Sequence, residues 1–356
     1  MAFSLFKKKK EKKDDRYQTL TVREVVSIAK DAVNLVFEKP EQFEYKPGQF
    51  ITIIKEIEGK KIRRAYSLCT TPYIDEWPAI TVKRVENGIM SNHLNDAIVA
   101  GDEINIMNPM GMFTTPYQRD PKRKTVFFGG GSGITPLMAI LRTILQEEPH
   151  SEVALVYGNR SEEFIIFKEL IEELRDDNPE RFEVVHILEE GEAQYNGKPT
   201  EQMIMEICQA LGVDENTECF ICGPQPMMDL VSETLPKIGV SNEKVMMESF
   251  EAGKTSPDNI TDQENADSEA LITLDGEEFE LTMKRSISVL EAALDQGIDM
   301  PYSCQSGLCT ACRGKCTEGK ISTDEAEGLS EEELEEGYVL TCVGRPLSDR
   351  IKIEMG

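Results

Sequence analysis

Between Tyr17 and about Arg119 the apolar positions come in short runs of strand length. Leu20 to Ile28, Val33 to Phe37, Gln49 to Ile54 and Ile80 to Val85 are such runs, broken by turns, with Lys46-Pro47-Gly48 at one junction and Val99-Ala100-Gly101-Asp102 at another. Short strands with regular turns predict an antiparallel β-barrel. From Lys122 the rhythm changes. Thr125 to Phe128, Val153 to Tyr157, Phe182 to Leu188, Cys219 to Cys222 and Val245 to Met247 read as strands. Amphipathic helices near Pro136 to Glu147, Phe164 to Leu174, Glu201 to Leu211 and Pro226 to Ile238 alternate with them. That alternation predicts a parallel sheet with helices on both faces. Residues 251–268 are polar with almost no apolar content and predict a flexible linker. Beyond them, Ala270 to Leu274 and Phe279 to Met283 predict a hairpin and Ser288 to Asp295 a helix, while Gly337 to Thr341 and Ile351 to Glu354 predict strands. Ser330 followed by Glu333 has the pattern of a capping box.

The pattern divides the chain into a basic tail (1–16), a barrel (17–121), an α/β domain (122–250), a linker (251–268) and a C-terminal domain (269–356). A chain of 356 residues is longer than one core usually serves. Charge sharpens the division. The net charge is −26, with residues 1–16 at +4, 17–250 at −15, 251–268 at −4 and 269–356 at −11. So acidic a surface argues against nucleic-acid binding. The longest uncharged run, Thr125 to Leu141, holds four glycines and a proline and is no membrane span, so no stable membrane insertion is expected. Lys7 to Lys10 predict a disordered, solubilising end. No export signal is evident and there are nine cysteines, which points to a cytoplasmic protein whose cysteines are thiols or metal ligands.

Four cysteines decide most. Cys304, Cys309, Cys312 and Cys342 are spaced C-x4-C-x2-C-x29-C. Three thiolates in one loop can wrap two irons, and a fourth from a distant strand closes the cage. Structural zinc sites more often use paired C-x2-C or Cys/His sets, whereas this is the plant-type [2Fe–2S] spacing. Residues 270–356 resemble plant-type ferredoxins, through Cys304 to Cys312 and Tyr338 to Cys342. The resemblance implies an α+β, β-grasp-like fold. Cys316 lies outside the four-ligand pattern.

A one-electron cluster needs a donor. In Arg64-Ala65-Tyr66-Ser67 an arginine can pair a pyrophosphate, a tyrosine can stack on a flat ring and a serine can bond a ring nitrogen. With Lys46 to Phe50 and Gly88 to Leu94, this segment resembles the flavin domain of the ferredoxin–NADP reductase superfamily. The resemblance implies FAD held by Arg64, Tyr66 and Ser67, with Gly88, Met90 and Ser91 at its diphosphate. Gly129 to Pro136 follows a strand and opens a helix, the setting of a diphosphate loop. It resembles the nicotinamide-nucleotide loop of the same superfamily, which implies Gly131, Gly133 and Thr135 at the coenzyme. Cys222-Gly223-Pro224 matches the family's C-G-P motif and implies Cys222 beside the nicotinamide. Ser67 and Cys222 are thus the expected catalytic positions, acting by orientation and not by covalent attack. Glu248 and Phe250 end the sheet domain, where the resemblance implies groups near the flavin ring, and Phe250 is the residue expected there. Arg160, after the second strand of the α/β domain, leans the coenzyme toward NADPH, with NADH left open.

The order barrel, nucleotide domain, linker, ferredoxin resembles the reductases of multicomponent oxygenases, a group that includes the reductase subunit of ring-1,2-phenylacetyl-CoA epoxidase. The resemblance implies a reductase carrying electrons from NAD(P)H through FAD and a [2Fe–2S] cluster to a redox partner protein, an oxygenase component. The rival readings are a reductase for a different oxygenase, a desaturase or a general acceptor, and a non-catalytic, metal-containing binding module.

Overall fold

The computed structural model describes residues 16–117, 122–250 and 266–355. The basic tail up to residue 15 and most of the expected linker lie outside the described residues.

The first unit is antiparallel. Strands β1 (Tyr17–Ala29), β2 (Ala32–Phe37), β3 (Phe50–Ile57), β4 (Lys60–Ser67), β5 (Ala79–Lys83) and β6 (Glu103–Met110) order as β4-β3-β6-β1-β2-β5. A bridge between Leu68 and Ile80 joins the two edges and closes the barrel. Leu20, Phe37, Ile51, Ile53 and Leu94 fill it, the last from helix α1 (Ile89–Asp96).

The second unit is the expected parallel sheet. Its strands are β7 (Lys124–Gly130), β8 (Glu152–Asn159), β9 (Phe182–Leu188), β10 (Tyr195–Asn196), β11 (Glu218–Cys222) and β12 (Val245–Glu248), ordered β10-β9-β8-β7-β11-β12. Helices α2 (Ile134–Glu147), α3 (Lys168–Asp177), α4 (Glu201–Ala210) and α5 (Gln225–Thr234) connect them. Two apolar clusters lie on its two faces, one built around α2 and the other around α4 and α5. The strand order reverses at β7, so a crevice opens at the carboxyl ends of β7 and β11, the usual place for a ligand in such sheets.

The third unit is a mixed sheet ordered β14-β13-β17-β15-β16. It comprises β13 (Asp267–Leu274), β14 (Glu277–Lys284), β15 (Arg313–Glu318), β16 (Tyr338–Leu340) and β17 (Arg350–Met355), with α6 (Val289–Asp295) and α7 (Glu331–Glu335). The expected capping box is present at Ser330 and Glu333.

Two expectations change. The helix read over Phe164 to Leu174 begins only at Lys168. Phe164, Ile165 and Ile166 are buried as a core plug, and Phe167 takes a left-handed φ of 64°, which breaks the helical path. Strand β13 starts at Asp267, inside the stretch read as linker, because Asp267 and Ser268 pair with Lys284 and Met283.

Candidate functional site

All three units meet at one cavity of about 310 Å³. The barrel lines it with Phe50, Arg64 and Ser67, the parallel sheet with Glu248 and Phe250, and the C-terminal unit with the loop at Cys304. Strand ends bring these groups together. Ser67 closes β4, Glu248 closes β12, and Cys222, at the end of β11, is in register with Glu248. The Ser67 hydroxyl donates to Glu248 Oε2 at 3.5 Å. Burial pushes the Glu248 carboxyl up to about 8, and the Ser67 hydrogen bond pulls the other way. Burial, reinforced by the Glu248 charge, raises the Cys222 thiol well above its ordinary value. It is held as a neutral thiol and is no nucleophile.

Arg64, Ser67 and Phe250 therefore share one wall, and Phe250 keeps 49% of its surface exposed. Tyr66 packs half-buried against the barrel core, and burial raises its phenol. Gly88 caps the N-terminus of α1. Met90 points into the barrel core, while the Ser91 hydroxyl accepts from the Val85 N–H at 3.1 Å. These two side chains build the turn, and what the segment offers a ligand is the backbone N–H groups of a helix start. Glu248, which with Phe250 ends the sheet domain on a looser motif match, lines the same wall as Phe250.

A second, larger cavity of about 800 Å³ lies over the carboxyl ends of the parallel strands. Gly131 and Arg160 line it, with Lys83 from the barrel. Gly131 has φ +52°, and its carbonyl accepts from the Tyr157 hydroxyl at 2.9 Å, which pins the loop. Gly133 is buried, and a side chain there would overlap the Cys222 carbonyl. Thr135 turns inward to donate to the Ser132 carbonyl at 3.0 Å. Gly133 and Thr135 thus shape the loop from behind, and Gly131 faces the cavity. Arg160 stands 5.1 Å over the Phe164 ring. Burial, then the neighbouring Arg160, lowers Lys83. The amide of Asn159 is buried on the cavity wall, in contact with the Tyr157 hydroxyl.

The four expected metal ligands converge. Cys309 and Cys342 donate to Cys304 and pull it well below the usual thiol range, and Cys342 likewise lowers Cys312. The Ser306 N–H donates to Cys304 Sγ at 3.5 Å. Gln305 and Gly307 have positive φ, and a side chain on Gly307 would overlap the Glu325 carbonyl. The loop is thereby wound so that backbone donors face sulfur. The Ser306 hydroxyl, on the wall of the smaller cavity, joins its own N–H in hydrogen-bonding to Cys304. Thiols in linked contact with N–H donors fit a cluster of two irons sharing four thiolates. Cys316 instead donates to the Glu318 carbonyl at 3.4 Å.

Three family models match: an oxidoreductase FAD-binding domain at residues 19–115, an oxidoreductase NAD-binding domain at 127–233 and a 2Fe-2S iron-sulfur cluster binding domain at 272–347. The ferredoxin reductase component of 3-ketosteroid-9-alpha-monooxygenase from Rhodococcus rhodochrous is 37% identical over 94% of this chain and 96% of its own. One of the subunits of the 1,2-phenylacetyl-CoA epoxidase of Escherichia coli K12 is 31% identical over 95% of this chain and 97% of its own. The structure of phthalate dioxygenase reductase shares the fold, with a TM-score of 0.61 over 96% of this chain and 99% of that one, at 24% identity. Among the described residues no helix is long and apolar enough to cross a membrane. The chain belongs to the ferredoxin–NADP reductase family of oxidoreductases, in the branch that carries a C-terminal 2Fe-2S domain.

Proposed function

We propose that this chain is the reductase component of an oxygenase system, taking a hydride from NAD(P)H and delivering single electrons to a separate oxygenase protein. The observation that carries the reading is the shared cavity, where Ser67, Glu248 and the Cys304 loop form one wall. FAD bound there supplies the change from a two-electron donor to one-electron acceptors. The chain's residues do the rest. Arg64 pairs with the diphosphate, Tyr66 and Phe250 bound the ring, and the segment Gly88, Met90 and Ser91 offers N–H groups. Ser67 orients the flavin, and its hydroxyl is hydrogen-bonded to the buried carboxyl of Glu248. Cys222 shapes the nicotinamide seat as a neutral thiol. Gly131, Gly133 and Thr135 hold the coenzyme loop, and Cys304, Cys309, Cys312 and Cys342 hold the irons.

Arg160, with Lys83 and Lys198 on the same cavity, favours NADPH over NADH. The domain bounds that go with this reading are 17–121, 122–250 and, with β13 starting at Asp267, 267–356, and its setting is the cytoplasm. The relatives serve different oxygenases, so the acceptor is proposed only as a class, with the epoxidase and ketosteroid systems as first trials. Stopped-flow reduction with each coenzyme tests the reading. Flavin and then cluster absorbance should bleach, with NADPH faster by about tenfold or more, as one lost charge-assisted hydrogen bond costs about 1.5–3 kcal/mol. Protein purified without flavin or iron, or unreactive with both coenzymes, would sink it.

A further inference from the structure

A barrel strand with one wet face should alternate buried and exposed residues. Strand β3 does not. Ile51 and Ile53 fill the barrel, so Thr52 and Ile54 point outward, yet they are 0% and 8% exposed. Arg63, opposite Ile54 on the edge strand β4, is 3% exposed. The cover is the segment Asp299 to Ser303, directly ahead of Cys304. Arg63 Nη1 donates to Asp299 Oδ1 at 2.6 Å and to the Met300 carbonyl at 3.2 Å. Its guanidinium lies 5.1 Å from the Tyr302 ring centre. Lys61 Nζ reaches Asp299 Oδ2 at 2.8 Å, and the hydroxyls of Thr52 and Ser303 are hydrogen-bonded.

The character of this interface matters as much as its position. The barrel and the parallel sheet share an apolar cluster, which includes Ala32 and Phe113. The C-terminal unit has an apolar cluster to itself. Polar contacts dominate its seat on the barrel, and the Asp299 side chain keeps 53% of its surface in water. Polar domain interfaces of this kind open and close more readily than shared cores.

We propose that Arg63 and Asp299 form a latch that seats the cluster loop over the flavin cavity, so that Arg63 is a positioning residue for electron transfer inside the chain. The buried guanidinium needs its carboxylate, because an unpaired buried charge is costly. The exposed carboxylate can let go, which frees the C-terminal unit to present the cluster elsewhere. The electron-transfer half of this inference rests on the proposed reductase function; the latch itself does not.

The test uses full-length holoprotein and the surface variant Asp299→Asn, with Asp299→Glu as the conservative partner. Hydrogen exchange over residues 50–56 and 60–66 should rise by about tenfold or more in Asp299→Asn, as the covered strands open. Electron passage from flavin to cluster should slow by about tenfold or more, since misplacement by about 1 Å can cost that much. Hydride delivery to flavin should stay unchanged, and Asp299→Glu should recover part of both losses. Unchanged exchange overturns the latch whatever the transfer rate does. Raised exchange with an unchanged transfer rate overturns the positioning role. Wild-type protein lacking flavin or cluster absorbance would instead count against the functional reading, and exchange would still report on the latch.

Discussion

The Ser67 hydroxyl donates to the Glu248 carboxyl across 3.5 Å, joining the last residue of a barrel strand to the last residue of a parallel strand. The two lie 181 positions apart in the chain. Their meeting puts a buried titratable group beside the expected flavin ring and the expected nicotinamide seat.

That carboxyl should make stability depend on pH. Burial raises Glu248 to about 8, from an ordinary value of 4.5. The folded protein therefore holds a proton that the unfolded chain has released. The associated stability is complete below pH 4.5 and is lost as pH rises to about 8. Its loss amounts to at most about 1.4 kcal/mol per pH unit. Thermal melts across that window should show a falling melting temperature in the wild type and a flatter line in Glu248→Gln. Parallel lines would contradict the assignment.

The four cysteines and the fifth should behave differently. Cys309→Ala should abolish the iron–sulfur absorbance and the bound iron while leaving flavin absorbance in place. Cys316→Ala should keep both, because its thiol is spent on the Glu318 carbonyl. Iron analysis and visible spectra of the purified variants decide it.

Two glycines of one loop should differ in their tolerance. In Gly133→Ala the new methyl would overlap the Cys222 carbonyl, so the loop or the strand end must move. In Gly131→Ala the cost is mainly the left-handed backbone, about 1–2 kcal/mol. Gly133→Ala should be the less stable of the two by thermal melting.

A salt-bridge cluster clamps the exit of the barrel to the parallel sheet. Arg123 donates to Glu148 at 2.9 and 2.7 Å, to Glu218 at 2.8 Å and to the Thr115 hydroxyl at 2.9 Å. Glu148 is buried, so Arg123→Met leaves a carboxylate without its main partner. A loss of about 3–5 kcal/mol is expected, read as a lower midpoint in denaturant, and Glu148→Gln in the same chain should recover part of it.

The local chemistry was legible in the chain. Cysteine spacing, a glycine loop between a strand and a helix, and the change from short strands to alternating strands and helices are all patterns within a few dozen residues. A misreading came where a local pattern was overruled: the run Phe164 to Phe167 looks helical by its apolar spacing, but it is drawn into the core. Met90 and Ser91 match a cofactor motif at a helix start, and only the structure showed that their side chains serve the barrel and the turn while the backbone N–H groups are left for a ligand.

By itself the sequence determined which cofactor chemistry the chain can hold, because ligand spacing and loop composition are properties of neighbours along the backbone. Only the tertiary structure decided that Glu248 stands beside Ser67, and that Arg63 and Asp299, 236 positions apart, lie between the barrel and the cluster loop. Neither pair leaves a local mark. Each arises because burial makes a charged or polar group find a partner, and which partner is within reach depends on how the three units pack.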